Sequence, residues 1–137
     1  MKVFFDTGAL IAIFVEGDAW HNKCVEKYRE YKKEHSLFFV NLFVLSEFYT
    51  RILYDYGKGS LKILINKIIK LQEEDKLRVF QIDAGIFKSS EEMMVKFSEH
   101  KLSFTDASIY VSVKTFKLDE IFTLDSGFKK VGLKTSF

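Results

Sequence analysis

Val3-Phe4-Phe5-Asp6-Thr7-Gly8-Ala9-Leu10 decides the fold. Three consecutive apolar residues closed by Asp-Thr-Gly read as a strand buried on both faces. From Gly8 the pattern of Ala9, Leu10, Ile13 and Phe14 predicts a short helix stopping near Gly17. Asp18 is placed to cap a second helix that runs to about Lys33. Leu37 to Val40 is again short and wholly apolar. Asn41 then caps a third helix whose stripe is Leu45, Phe48, Tyr49, Ile52, Leu53 and Tyr56. Gly57 and Gly59 end it, and Ser60 caps a fourth with Leu61, Leu64, Ile65 and Ile68. Leu77 to Ile82 is a third strand. Asp83 caps a helix carrying Ile86, Met93, Met94 and Phe97. Ser103 or Thr105 opens another that runs to about Lys117. Glu120 to Leu124 is a fourth strand, and Val131 to Thr135 a short fifth. Apolar strands alternating with amphipathic helices indicate an α/β fold, a parallel sheet covered on both sides.

Composition narrows the class. The chain has 137 residues, enough for a single domain over 1–137, and is 47% hydrophobic with fifteen Phe and six Tyr. It has no Pro and no stretch that reads as a linker. The apolar run from Val3 to Val15 is too short for a membrane span and is interrupted by Asp6. The lone Cys24 permits no internal disulfide and suits a reducing compartment. These features predict a cytoplasmic protein without a membrane association. The net charge of +2, from 21 basic and 19 acidic residues, does not announce nucleic acid by itself.

The acids are more informative than the total. In parallel α/β sheets, ligands bind beyond the carboxyl ends of the strands. Asp6 ends the first strand and Asp125 the fourth. Asp106 starts a helix of about 12 residues, which travels roughly 18 Å away from that edge. The strand after it has about five residues and returns roughly 17 Å. Asp106 and Asp125 are therefore expected at one edge, joined by Asp6 if the first and fourth strands are neighbours. Each acid has an ordinary alternative: Asp106 as a complement to the helix dipole, Asp6 and Asp125 as turn residues. Three carboxylates at one edge repel, however, and call for a cation. No Arg lies near them in sequence. Glu47 is a fourth candidate, opposite the main stripe of its helix. Its ordinary alternative is a salt bridge to Arg51 at i+4. Phe43, one turn earlier on the same face, indicates that this face is partly covered. An all-oxygen set selects Mg²⁺ or Mn²⁺, and no His or Cys pair at ligand spacing suggests zinc. Four acids around one or two such ions suit phosphodiester hydrolysis.

Four segments resemble one known family. Phe4-Phe5-Asp6-Thr7-Gly8-Ala9-Leu10, Ser46-Glu47-Phe48, Leu102 to Ile109 around Asp106, and Phe122-Thr123-Leu124-Asp125-Ser126-Gly127-Phe128 resemble, in order, the acidic motifs of PIN domains. The resemblance implies a three-layer fold with a parallel sheet ordered 3-2-1-4-5. It implies a Mg²⁺- or Mn²⁺-dependent endoribonuclease with Asp6, Glu47, Asp106 and Asp125 as catalytic and metal-binding residues. Thr7 and Thr123 would contact those acids or the metal's water. Relatives this short include VapC-type toxins, which dimerise and are silenced by an antitoxin protein. Gly127 departs from the pattern, since many members carry an acid there, and the number of ions is open to that extent.

Other readings are set beside this one. Asp6-Thr7-Gly8 and Asp125-Ser126-Gly127 also spell the paired tripeptides of aspartic proteases, but that fold is all-β and the intervening chain is helix-rich. A non-catalytic PIN-like module that binds RNA or a protein is the main alternative. Lys101, Lys129 and Lys130, with Lys114 and Lys134, are expected around the acidic edge as RNA contacts. Phe43, Val44, Tyr54, Ile63 and Ile69 lie off the main stripes of the third and fourth helices, so a homodimer through Leu42 to Ile69 is expected.

Overall fold

The computed structural model describes residues 1–137. Strand β1 (Lys2–Phe5) leads into α1 (Thr7–Phe14) and α2 (His21–Lys33), then β2 (Leu37–Asn41) and the long α3 (Leu42–Glu73). Next come β3 (Arg78–Phe80), α4 (Ala84–Lys96), a 3₁₀ turn at Ser98–His100, α5 (Phe104–Thr115), β4 (Glu120–Phe122) and α6 (Gly127–Lys130). The sheet order is β3-β2-β1-β4, and every pairing is parallel. A parallel bridge joins Ile121 to Thr135. The expected fifth strand is thus reduced to one bridge on the outer side of β4, and the order otherwise follows 3-2-1-4-5.

Alternation along β2 sorts the layers, because successive side chains point to opposite faces. Phe38 meets Tyr28 and Tyr31 of α2, with ring centroids 4.9 and 6.2 Å away. Phe39 lies on the other face against Phe80, which stacks on Phe116 just beyond α5 at 3.8 Å. Helices therefore cover both sides of the sheet, and one core of 26 buried residues runs through it.

Element boundaries differ from the expectations in places, and β3 is shorter than Leu77 to Ile82. Asp18 does not cap α2: its carboxylate accepts from the Trp20 amide in a turn, and the helix begins at His21. The third and fourth helices are two segments that follow each other directly across a kink within α3. The break falls at Gly57 alone, whose φ of 89° only glycine adopts freely, and Gly59 is helical. Strand β4 stops at Phe122, because the Thr123 hydroxyl accepts from the Asp125 amide and bends the chain there.

Capping fixes the functional edge. Asn41 ends β2 and caps α3, its Oδ1 accepting from the Val44 amide at 3.0 Å. Its Nδ2 donates to Ser108 and Ser112 of α5 at 3.1 and 3.3 Å. One fully buried amide thus ties the start of α3 to α5. Ser103, rather than Thr105, opens α5, and Asp106 completes a reciprocal capping box with it.

Candidate active site

The four acids reach one place by four local devices. Asp6 directly follows β1 and caps α1. Glu47 projects from the second turn of α3. Asp106 sits in the first turn of α5, and Asp125 in the turn after β4. Together with Gly8, Arg51, Ser103 and Leu124 they line one open cleft of about 440 Å³.

Asp6 is the most constrained. Its Oδ1 accepts from the Thr7 amide at 2.8 Å, and its Oδ2 accepts from the Thr123 hydroxyl at 2.7 Å. Burial, with repulsion from Asp106 and Glu47, overcomes these bonds and pushes its pKa up to about 6. Asp106 is also raised, first by burial and then by Asp125 and Glu47, against the opposing bonds from Ser103. Both shifts agree with the geometry, which sets the four carboxylates around one cleft.

Thr123 is the hub of this edge. Its hydroxyl donates to Asp6 and accepts from the Asp125 amide at 3.0 Å. One side chain therefore aligns acids that lie 119 positions apart. Thr7 behaves differently: its amide serves Asp6, while its buried Oγ1 has no hydrogen-bond partner. Asp125 accepts from the Gly127 amide at 2.8 Å. A Cβ at Gly127 would stand 3.1 Å from the Asp125 Oδ1, so the absence of a side chain there leaves this carboxylate its position.

The donor set fits a hard divalent cation: four carboxylates and no imidazole or thiolate. No three His, Cys, Asp or Glu side chains are gathered tightly enough in this arrangement to hold an ion.

Other expected residues fall differently. Lys101, Lys129 and Lys130 are exposed. Lys101 precedes the α5 cap with a φ of 52°, and Lys129 and Lys130 lie in α6 just after Asp125. Lys114 and Lys134 do not lie at the acidic edge. They line a pocket with Lys117 and Asp119 at the opposite end of β4. Sequence proximity misled here, since α5 carries Lys114 about two turns away from Asp106. The offered ion pair between Glu47 and Arg51 is not formed. Arg51 instead lines the cleft, as its only cationic side chain, and sequence reading had weighed it only as a partner for Glu47. Ser103 was read as a cap and also lines the cleft.

The family model described as PIN domain matches residues 3–134. The chain belongs to the PIN-domain family. Three solved structures share its fold over nearly their whole length. The Mycobacterium tuberculosis toxin VapC20, which cleaves the sarcin-ricin loop, is 21% identical, with 96% of this chain and 95% of that one covered and a TM-score of 0.83. VapBC2 from Rickettsia felis, bound to a DNA fragment from its promoter, is 14% identical over 98% and 97%, with a TM-score of 0.73. FitAcB from Neisseria gonorrhoeae is 13% identical over 97% and 95%, with a TM-score of 0.64. At these identities the likeness speaks for the PIN fold. No curated protein matches the sequence at a significant level. No helix of this PIN domain is long and apolar enough to cross a membrane.

Proposed function

We propose that this PIN domain, a single domain over 1–137, is a divalent-metal-dependent endoribonuclease of the toxin type. The observation that carries the reading is the convergence of the four acids on one cleft. Asp6 is pushed up to about 6 despite two hydrogen bonds, with Asp106 and Glu47 among the causes. Such a cluster is costly unless a cation works there. Asp6, Asp106, Asp125 and Glu47 would hold Mg²⁺ or Mn²⁺, one ion or two. The ion when bound supplies Lewis-acid neutralisation of the scissile phosphate and a more acidic water.

The chain's own residues do the rest. Thr123 keeps Asp6 and Asp125 in register, and its hydrogen bond favours the ionised form of Asp6. The Ser103 amide holds one Asp106 oxygen at 3.1 Å, which leaves the other for the cleft. The Gly127 amide orients Asp125 in the same way. Arg51 is placed to bind a substrate phosphate at the cleft wall. Lys101, Lys129 and Lys130 extend that contact along the RNA backbone. Thr7 contributes its amide to Asp6.

VapC20 is a toxin that cleaves the sarcin-ricin loop, and a toxin–antitoxin complex from Klebsiella pneumoniae shares the fold. By analogy, structured RNA is the substrate class and an antitoxin protein a partner. We also propose a homodimer through α3. Tyr54, Ile63 and Ile69 are exposed there, although Val44 is fully buried and Phe43 packs on α4 and α5. A reducing cytoplasm suits the single buried Cys24.

The test is cleavage of total RNA at pH 7.5 with Mg²⁺ or Mn²⁺, against EDTA, with Asp106→Asn as control. Metal-dependent cleavage that disappears in the variant supports the proposal. Metal-independent cleavage, or an active Asp106→Asn, contradicts it. No cleavage at all would favour the non-catalytic module.

A further inference from the structure

Three aromatic rings meet beside the acidic cleft. Phe43 lies in the first turn of α3, one turn before Glu47. Phe104 is the first residue of α5, between Ser103 of the cleft and Asp106. Phe87 lies in the first turn of α4. The Phe87 and Phe104 centroids are 4.9 Å apart. Phe43 meets Phe104 edge-on at 5.6 Å and Phe87 at 6.2 Å. Phe43 and Phe104 are half-buried, but Phe87 is 45% exposed. Phe87 is thus held by two rings and still partly open to water, in a cluster whose members Phe43 and Phe104 adjoin the cleft residues Glu47 and Ser103.

We propose that Phe87, braced by Phe104 and Phe43, is a stacking platform for an unpaired base of the RNA next to the scissile phosphate. The inference rests on the ribonuclease reading above. Single-stranded RNA is held by joining phosphate contacts to base stacking on aromatic faces. Both halves are adjacent here. The acids and Arg51 form the phosphate side, and the platform continues from it through Ser103-Phe104 and through the Phe43–Glu47 turn. The bracing matters because a ring already fixed by its neighbours loses little freedom when a base stacks on it. The platform accepts any base, since every base has a π face, and it requires an unpaired one. Cleavage is therefore directed to loops and single strands by a residue outside the metal site.

The experiment uses the full chain and Phe87→Ala, Phe87→Leu and Phe87→Trp. It reads kcat/KM on a single-stranded oligoribonucleotide and on the same sequence in a duplex. Phe87→Ala and Phe87→Leu should lose about 5- to 100-fold on the single strand. Phe87→Trp should retain activity, and its fluorescence should be quenched by the single strand in EDTA. The Mn²⁺ thermal shift should be the same in all four proteins. Unchanged kcat/KM in Phe87→Ala overturns the platform while leaving the ribonuclease reading intact. So does activity retained by Leu, which would show that only apolar bulk is needed. A dimer that becomes monomeric in Phe87→Ala would assign the ring to a contact between copies and also overturn it. If the wild type cleaves nothing, the ribonuclease reading fails, and quenching in Phe87→Trp decides the platform on its own.

Discussion

Replacing Asp6 by Asn should stabilise the metal-free protein at neutral pH. The magnitude follows from the carboxyl's displacement from 3.8 to about 6. Because the folded pKa is raised, the native state holds more protons than the unfolded chain between those values. Stability therefore falls as pH rises from about 4 to about 6 and stays lower above that. About two units correspond to about 3 kcal/mol, a ceiling because Asp6 keeps some surface open to the cleft. Asn preserves the acceptor for the Thr7 amide but presents an NH₂ to the Thr123 hydroxyl, which now donates to Asp6. That mismatch costs roughly 1 kcal/mol. The net gain is about 1–2 kcal/mol at pH 7.5, or an increase in Tm of about 3–8 °C for a chain of this size. Urea or thermal unfolding in EDTA at pH 7.5 and pH 4 measures it, and the gain should vanish at the lower pH. Excess Mn²⁺ should reverse the order, since saturation at 100 times Kd adds about 2.7 kcal/mol to the wild type. An Asp6→Asn protein that is less stable than wild type by the same amount at both pH values would refute the reasoning.

Thr123→Val removes the donor to Asp6 and the acceptor for the Asp125 amide, so it should cost about 1–3 kcal/mol. It should also move the rising limb of the pH–cleavage profile to higher pH, which a pH series in Mn²⁺ reads. Gly127→Ala sets a Cβ 3.1 Å from the Asp125 carboxylate and should lower kcat roughly tenfold with a stability change under about 1 kcal/mol. Equal kcat for the two proteins would separate Asp125 from the chemistry. Sedimentation at micromolar concentration should find a dimer of the 16.0 kDa chain, and Tyr54→Glu with Ile63→Glu should dissociate it. A dimer unchanged by that pair would move the interface elsewhere.

The strand-terminal acids were legible because a parallel sheet has one binding edge and apolar strands mark it. The return of α5 and β4 to that edge followed from their lengths. What the pattern could not display was side-chain traffic across the sheet. Asn41 reads as a cap, yet its amide also reaches Ser108 and Ser112, which carry no periodic signal. Phe43 signalled a covered face at Glu47, but its cover comes from Phe104 and Phe87, which lie in distant segments. The fourth and fifth strands were read too long because β propensity continues through Thr123 and Leu124, while hydrogen bonds to the Thr123 and Ser136 hydroxyls end the ladder. Gly57 was legible as a helix end, and its φ of 89° and ψ of 175° do break the helix there, with the next segment starting directly after it.

The central claim is that the cleft of Asp6, Glu47, Asp106 and Asp125 binds divalent metal. Anomalous diffraction at the Mn edge, from crystals of the full chain soaked in Mn²⁺ at pH 7.5, tests it most directly. A peak between Asp6, Asp106 and Asp125, lost in Asp106→Asn crystals, is the predicted result. A fully soaked crystal with no peak in the cleft, or with the same peak in the variant, would contradict the claim.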